Sequence, residues 1–221
     1  MTGAIIAAGQ GHRLKAAGVA VPKPLVRVLG KTLLDRVVDN MQACGLLDIT
    51  CITNEEFAPK LGRDPRIRLV VQSTPSSMES LFALAPLLGQ EPFVLSTVDA
   101  VFKPAQLRDL MTVARGDGTL AVTGDSGGET PLALRMAADG RVTAIGPDAG
   151  ASGEITAGFY VLSPRIFQEL EEARRRRLSG LRYFLGLLLG KGYALFGHRV
   201  GPTVDVDTPR EIRLAEEFLI S

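Results

Sequence analysis

Residues 4–14 read Ala-Ile-Ile-Ala-Ala-Gly-Gln-Gly-His-Arg-Leu, an apolar run that stops at two closely spaced glycines and a cation. Residues 4–8 have the length and content of a strand buried on both faces, and residues 9–11 form a loop. Three phosphate-binding geometries begin this way. A dinucleotide-binding turn needs a third glycine where Leu14 stands, and a strand-end acidic residue about 20 positions on, which is absent. A P-loop ends in Gly-Lys-Ser/Thr, which Gly30-Lys31-Thr32 supplies, but its first glycine would fall on Leu25. That Gly-Lys pair reads instead as a tight turn before a helix. The third geometry is a loop whose free backbone N–H groups wrap a triphosphate, with Arg13 as a clamp. Lys23 would be a second cation, aimed by an extended Pro22-Lys23-Pro24 segment. In the competing structural reading, Gly9 and Gly11 only make a turn and Lys23 is a solvated surface charge.

Working outward, short runs rich in Ile, Val and Leu alternate with segments of helical period, the pattern of an α/β protein with a mainly parallel sheet. Leu33, Leu34, Val37, Val38 and Met41 give residues 33–43 one apolar helical face. Strands are predicted over 48–53, 66–71, 93–98, 119–123, 155–162 and 194–200, with helices over 77–88, 105–114, 164–178, 181–189 and 209–219. Asp139-Gly140 marks a hairpin within 131–145. Residues 146–153 read as a loop. Residues 204–207 form an extended segment before the last helix.

The 221 residues carry 25 basic and 24 acidic side chains, a formal charge of +1. A protein that grips nucleic acid or anionic lipid usually carries a basic excess, so neither partner is expected and phosphate recognition must be local. Cys44 and Cys51 have no paired spacing and no neighbouring His, which excludes a disulfide framework and a zinc cluster and fits a cytoplasmic protein. The run Arg174–Arg177, with Glu169, Glu171 and Glu172 in helical reach, reads as a solvated helix face. His198, in a strand, reads as structural.

Residues 8–14, the segment Pro22-Lys23-Pro24-Leu25-Val26 and Gly30-Lys31-Thr32-Leu33-Leu34 together resemble the opening of the nucleotidyltransferases that make nucleotide sugars from a nucleoside triphosphate and a sugar 1-phosphate. Residues 93–99, 140–145, 157–162 and 204–212 are similar, in order, to that family's metal-bearing strand, hairpin, sugar-side strand and second metal segment. The resemblance implies a three-layer, Rossmann-like α/β fold with a mixed, mostly parallel central sheet, built as one domain over residues 1–221. Residues 1–125 would be the nucleotide-binding half and 126–221 the acceptor-binding half. It implies transfer of a nucleotidyl group to a sugar 1-phosphate with release of pyrophosphate. The alternatives are a cytidylyltransferase for a polyol, amino-alcohol or molybdopterin-type acceptor, and a nucleotide-binding regulatory domain without turnover.

By the same resemblance Arg13 and Lys23 are catalytic, and Asp99 and Asp207 hold Mg²⁺, with Asp205 the neighbour that competes with Asp207. Ala8, Gly9, Gly11 and His12 would meet the nucleotide, Gln72 the base edge, and Ser77 and Ser80 would assist, Ser77 also suiting a helix cap. Glu154 and Gly158 would hold the acceptor, and Tyr160 belongs to the core. The chain departs from the family pattern at His12, in place of Ser or Thr, and at Ser96-Thr97-Val98, where a Gly is usual. It also lacks a Gly-Thr-Gly after Gln72 and the lysine that grips the acceptor phosphate, for which Arg135, Arg141 and Lys103 are candidate substitutes. The apolar stretch 181–189 is the candidate face for a homodimer.

Overall fold

A computed structural model describes residues 1–124, 132–150 and 153–221. Seven strands make the central sheet: β1 (Thr2–Ile6), β2 (Ile49–Thr53), β3 (Arg68–Val71), β4 (Phe93–Thr97), β5 (Gly118–Gly124), β6 (Glu154–Leu162) and β7 (Leu195–Arg199). Their order is β7-β5-β6-β4-β1-β2-β3, and β6 alone runs antiparallel to its neighbours β4 and β5. The mixed, mostly parallel sheet expected from the sequence is therefore observed. Among the described residues eight α-helices accompany it: α1 (His12–Ala16), α2 (Leu33–Ala43), α3 (Ala58–Leu61), α4 (Ser77–Leu84), α5 (Pro104–Val113), α6 (Leu170–Arg175), α7 (Leu181–Gly190) and α8 (Pro209–Ile220).

Strand alternation splits the core into two layers. Ile5 and Ala7 of the first strand and its extension join Val37, Met41, Leu107 and Ala215 on the face covered by α2, α5 and α8. Ala4 and Ile6 join Leu81, Phe184 and Leu188 on the face covered by α4 and α7. All of these side chains are under a tenth exposed, so the apolar run that opens the chain is buried on both sides because helices cover both.

The turn expected at Gly30-Lys31 is a hairpin whose two-residue loop is Leu29-Gly30, between the short strands Arg27–Val28 and Lys31–Thr32, with φ of 46° at Leu29 and 79° at Gly30. Thr32 then caps α2, its hydroxyl accepting the Asp35 N–H at 3.0 Å, which is worth about 1 kcal/mol. The Asp139-Gly140 hairpin joins Leu134–Met136 to Val142–Ile145; Pro131, where the expected hairpin began, lies outside the described residues. The expected loop 146–153 opens with a 3₁₀ turn, Gly146–Ala149, and its residues 151–152 are outside the described set.

Several expectations are corrected. The helix expected over 77–88 ends at Leu84 and continues as the 3₁₀ turn Ala85–Leu87, because Pro86 has no N–H for an α-helical bond. The helix expected over 164–178 is a 3₁₀ segment, Pro164–Glu169, followed by α6. The apolar stretch 181–189 spends Leu181, Phe184, Leu185, Leu187 and Leu188 on the chain's own core, and Tyr183 is its large exposed side chain. Arg174 reaches Glu79 on α4, whereas Arg175 and Arg176 pair with Glu172. His198 pairs with Asp109, its ring Nε2 2.7 Å from the carboxylate. Among the described residues no helix is long and apolar enough to cross a membrane.

Candidate active site

In the sheet order, β2 and β3 lie on one side of β1 and β4 lies on the other. A crevice therefore opens at the carboxyl ends of β1 and β4, where open α/β sheets bind ligands. The loop after β1 enters this crevice. Ala8 is held there by Asn54, a buried residue at the end of β2 whose side-chain amide donates to the Ala8 carbonyl at 3.0 Å. Gly11 has φ 61° and a Cβ there would press on Lys23 Cβ at 3.3 Å, so glycine lets the start of α1 lie against the lysine.

Lys23 is the centre of the site. The sequence suggested an extended Pro22-Lys23-Pro24. In the structure only Pro22 is extended, and Lys23–Leu25 forms a 3₁₀ turn closed by the Leu25 N–H on the Pro22 carbonyl at 2.8 Å. Pro24 sits at the second position of that turn, where no N–H donor is required. The turn swings Lys23 inward and leaves it 8% exposed, which overturns the solvated-surface reading.

Its ammonium donates to Asp99 Oδ2 and to Asp207 Oδ1, each at 2.5 Å. Arg13, half exposed, reaches the other oxygen of Asp207 at 2.7 Å. Burial by itself would lower the Lys23 pKa, but the charges of Asp99 and Asp207 and their hydrogen bonds outweigh it and hold the ammonium above the usual lysine range. Burial would raise Asp99, and Lys23, then Thr97, hold it below the usual carboxylate range instead. The enclosing protein mass pushes Asp205 up, and the like charge of Asp99 adds to this, to about 7, although its surface stays open at the cleft mouth.

The end of the chain positions Asp207. The two-residue strands Ala100–Val101 and Val204–Asp205 pair, and the Val206 N–H donates to the Asp99 carbonyl at 3.0 Å. Thr208, not Asp207, is the N-cap of α8, and the Glu211 carboxylate accepts the N–H groups of Asp207 and Thr208 at 2.6 and 2.8 Å. The Asp207 carboxylate is thereby left to the cations.

Three adjoining cavities line up along the crevice and share Ser77. The first, about 250 Å³, is bordered by Ala8, Gly9, His12, Asn54 and Thr74. The second, about 290 Å³, is bordered by Gly9, Gly11, His12, Arg13, Lys23, Asp99 and Asp207. The third, about 520 Å³, adds Thr156, Gly158, Tyr160, Arg182 and Asp205. Gln72 is exposed and borders none of the three; Ser73 and Thr74 border the first instead.

Ser77 is not the cap of α4, a place taken by Ser76, whose hydroxyl accepts the Glu79 N–H at 3.2 Å. The Ser77 hydroxyl accepts the Leu181 N–H at 3.0 Å, tying α4 to α7. Ser80 is buried and its hydroxyl lies 2.6 Å from that of Thr74. Glu154 pairs with Arg199 across the sheet and borders none of the three cavities. Tyr160 is buried yet borders the third cavity, its hydroxyl donating to Thr156 Oγ1 at 3.4 Å.

Gly158, at φ 78° in a bulge of β6, has a steric reason to be glycine. A Cβ there would meet Ala100 Cβ at 2.8 Å and Thr97 Oγ1 at 2.9 Å. The sequence reading missed Asn54, Thr97 as a support for Asp99, and Arg182. None of them carries a motif, and each is picked out only by the fold around it.

As a donor set the site suits a small hard cation. One ammonium bridges an oxygen of each carboxylate, so Asp99 and Asp207 converge, and among the described residues no cluster of three or more His, Cys, Asp or Glu forms a full protein cage. Mg²⁺ takes one or two carboxylates and completes its shell with phosphate oxygens and water.

The chain is 31% identical over 98% of its length to the bifunctional IPC transferase and DIPP synthase of Rubrobacter xylanophilus. It is 29% identical over 96% of its length to the CMP-5'-(3-aminopropyl)phosphonate synthase of Streptomyces rubellomurinus. The chain spans about half the length of the first and 38% of the second. The structure of the inositol-1-phosphate CTP transferase from T. maritima superposes with a TM-score of 0.83 at 18% identity, covering 98% of this chain and 95% of that one, and so shares the fold. The family model for the MobA-like NTP transferase domain matches residues 3–187, and the chain belongs to that family.

Proposed function

We propose that the chain is a nucleotidyltransferase that moves a cytidylyl group from CTP to the phosphate or phosphonate of a small polyol or amino-alcohol and releases pyrophosphate. The observation that carries the reading is the Lys23, Arg13, Asp99 and Asp207 cluster at the strand ends, between a cavity beside the glycine loop and a larger one beside β6. Cytidine as the nucleoside and a polyol or amino-alcohol as the acceptor are supported by the names of relatives that use CTP or make a CMP conjugate. These favour the cytidylyl reading over a sugar 1-phosphate.

An oxygen of the acceptor phosphate attacks the α-phosphorus. A new P–O bond forms there, and the bond from the α-phosphorus to the bridging oxygen breaks, the electron pair leaving with pyrophosphate. A phosphate monoester has a second pKa near 6, so the nucleophile is mostly dianionic at neutral pH and no general base is required. The residues have to gather and neutralise charge. Arg13 lies beside the glycine loop and would clamp the outer phosphates. Lys23, held charged by its neighbours, would follow the α-phosphate through the transition state. Asp99 and Asp207 would hold Mg²⁺, which polarises phosphoryl oxygens and neutralises the leaving pyrophosphate.

The test is pyrophosphate release with Mg²⁺, each of the four nucleoside triphosphates being paired with myo-inositol 1-phosphate, glucose 1-phosphate and 3-aminopropylphosphonate. Release that needs CTP and is strongest with a non-sugar acceptor is expected. Release with UTP or dTTP and glucose 1-phosphate would restore the sugar reading. No release from any pair would leave a nucleotide-binding domain without turnover.

A further inference from the structure

We propose that Arg182 is the cation that receives the acceptor's phosphate, a role that rests on the reading of the third cavity as the acceptor pocket. Among the described residues three cations border that cavity: Arg13, Lys23 and Arg182. The first two are gathered at Asp99 and Asp207. Arg182 belongs to the other end, on the first turn of α7. The position of α7 is fixed by burial of Leu181, Phe184, Leu185 and Leu188 and by the Leu181 N–H on Ser77, so Arg182 is carried to the cavity by packing.

The same helix start brings Ser179 and Gly180 to the cavity wall, and Gly180 caps α7 without a side chain. The backbone dipole of α7 therefore reinforces the positive charge there. Burial, with the charges of Asp205 and Asp99, holds the Tyr160 hydroxyl in the same cavity above the usual tyrosine range, and the Arg182 charge opposes them.

The substitutes suggested by the sequence are placed elsewhere. Arg135 donates to the carbonyls of Asp148 and Ala149, Lys103 lies over the Phe218 ring at 5.0 Å, and Arg141 sits on the hairpin where it bridges to β7. None of the three borders the cavity. A guanidinium offers paired N–H donors to a phosphate and stays charged at any working pH, so it can do the work of a missing lysine.

Binding of myo-inositol 1-phosphate and of glucose 1-phosphate is to be measured by titration calorimetry with Mg²⁺ and α,β-methylene-CTP present, with unphosphorylated myo-inositol as the uncharged control. Arg182→Ala should weaken the better phosphate ester about 10–100-fold, the loss expected for a hydrogen bond to a charged group, and leave the CTP analogue within twofold. Arg182→Lys should recover part of the loss. In turnover the effect should fall on the acceptor KM and spare kcat.

Equal loss for the ester and for myo-inositol, no loss for the ester, or no ester binding by the native protein would each overturn the assignment. Arg182-dependent ester binding without pyrophosphate release would overturn the proposed activity and leave the phosphate site standing. Release with an acceptor KM indifferent to Arg182 would overturn the phosphate site alone.

Discussion

The two ends of the cleft are built in opposite ways. At the β1 and β4 end the charged groups are tied to one another: Lys23 is buried and shared between two carboxylates, and Arg13 holds one of them. At the β6 and α7 end the described lining adds hydroxyls, the glycines Gly158 and Gly180, apolar side chains such as Leu132 and Leu181, the carboxylate of Asp205 and the exposed Arg182, drawn largely from segments that also build the core. On the proposed reading a triphosphate presents the same charge in every turnover, so the groups that would meet it can be fixed before it arrives, and fixed donors cost no reorganisation. The acceptor of that reading varies in shape, and a wall of mixed hydroxyl and apolar side chains near Arg182 and Asp205 can vary with it.

The sharpest test of this contrast is Lys23→Ala. On the proposed reading it removes a positioned charge at the reacting phosphorus, and pyrophosphate release should fall on the order of 10³-fold while circular dichroism stays native. A loss of only tenfold, or one confined to the acceptor KM, would break the claim that the lysine end is the fixed end.

Gly158→Ala strikes the seam between the two ends. It forces φ 78° on a residue with a Cβ and drives that carbon into Ala100 and Thr97. The expected destabilisation is about 2–4 kcal/mol, a Tm drop of roughly 5–15 °C in a thermal melt. An unchanged Tm would mean that the bulge relaxes without resistance.

Ser77→Ala should cost less, about 0.5–1.5 kcal/mol in urea unfolding, because it removes the acceptor of the Leu181 N–H. It should also weaken phosphate-ester binding through α7. A loss of nucleotide binding instead would place Ser77 with the fixed end.

The smallest effect is expected outside both ends, where Arg66 joins Asp35, Asp39 and Asp64. Burial would raise Asp35, but the Thr32 hydroxyl and Arg66 hold it below its ordinary value of 3.8, and a hydrogen bond from Arg66 lowers Asp64 likewise. A carboxylate whose folded pKa is depressed stabilises the fold above the unfolded pKa, and that stability is lost as pH falls through the folded value. The native protein and Arg66→Ala should therefore differ by about 1 kcal/mol or less at pH 6, given solvent screening, and the gap should narrow below about pH 4. A gap that persists at pH 3 would show that Arg66 acts through packing.

Much of the fixed end was legible in the sequence. The strand before the glycine loop is a contiguous apolar run, Arg13 and Lys23 sit beside a recognisable turn and prolines, and Asp99 and Asp207 were singled out by the family resemblance. The inward turn of Lys23 was not legible, because a proline-flanked lysine is compatible with either an extended or a 3₁₀ backbone. Neither was the pairing of Ala100–Val101 with Val204–Asp205, since two residues carry no periodicity. Arg182 was hidden for a different reason. It interrupts an apolar helix as any solvated residue would, and only the burial of Leu181 and Phe184 on either side decides which way it faces. Gln72 shows the converse: the strand end was correct, but the residues bordering the cavity are those that follow it.

The place of β6 between β4 and β5 also constrains how the chain reaches its final form. β5 and β7 touch the rest of the sheet only through β6, which leaves the ribosome after β5. During synthesis the first four strands can pair among themselves, but β5 has no edge to join until residues up to Leu162 have emerged. Until then the outer edge of β4 is an open row of backbone donors and acceptors, a template for the wrong partner. Chains truncated between β5 and β6 should aggregate, and refolding should be limited by insertion of this one antiparallel strand.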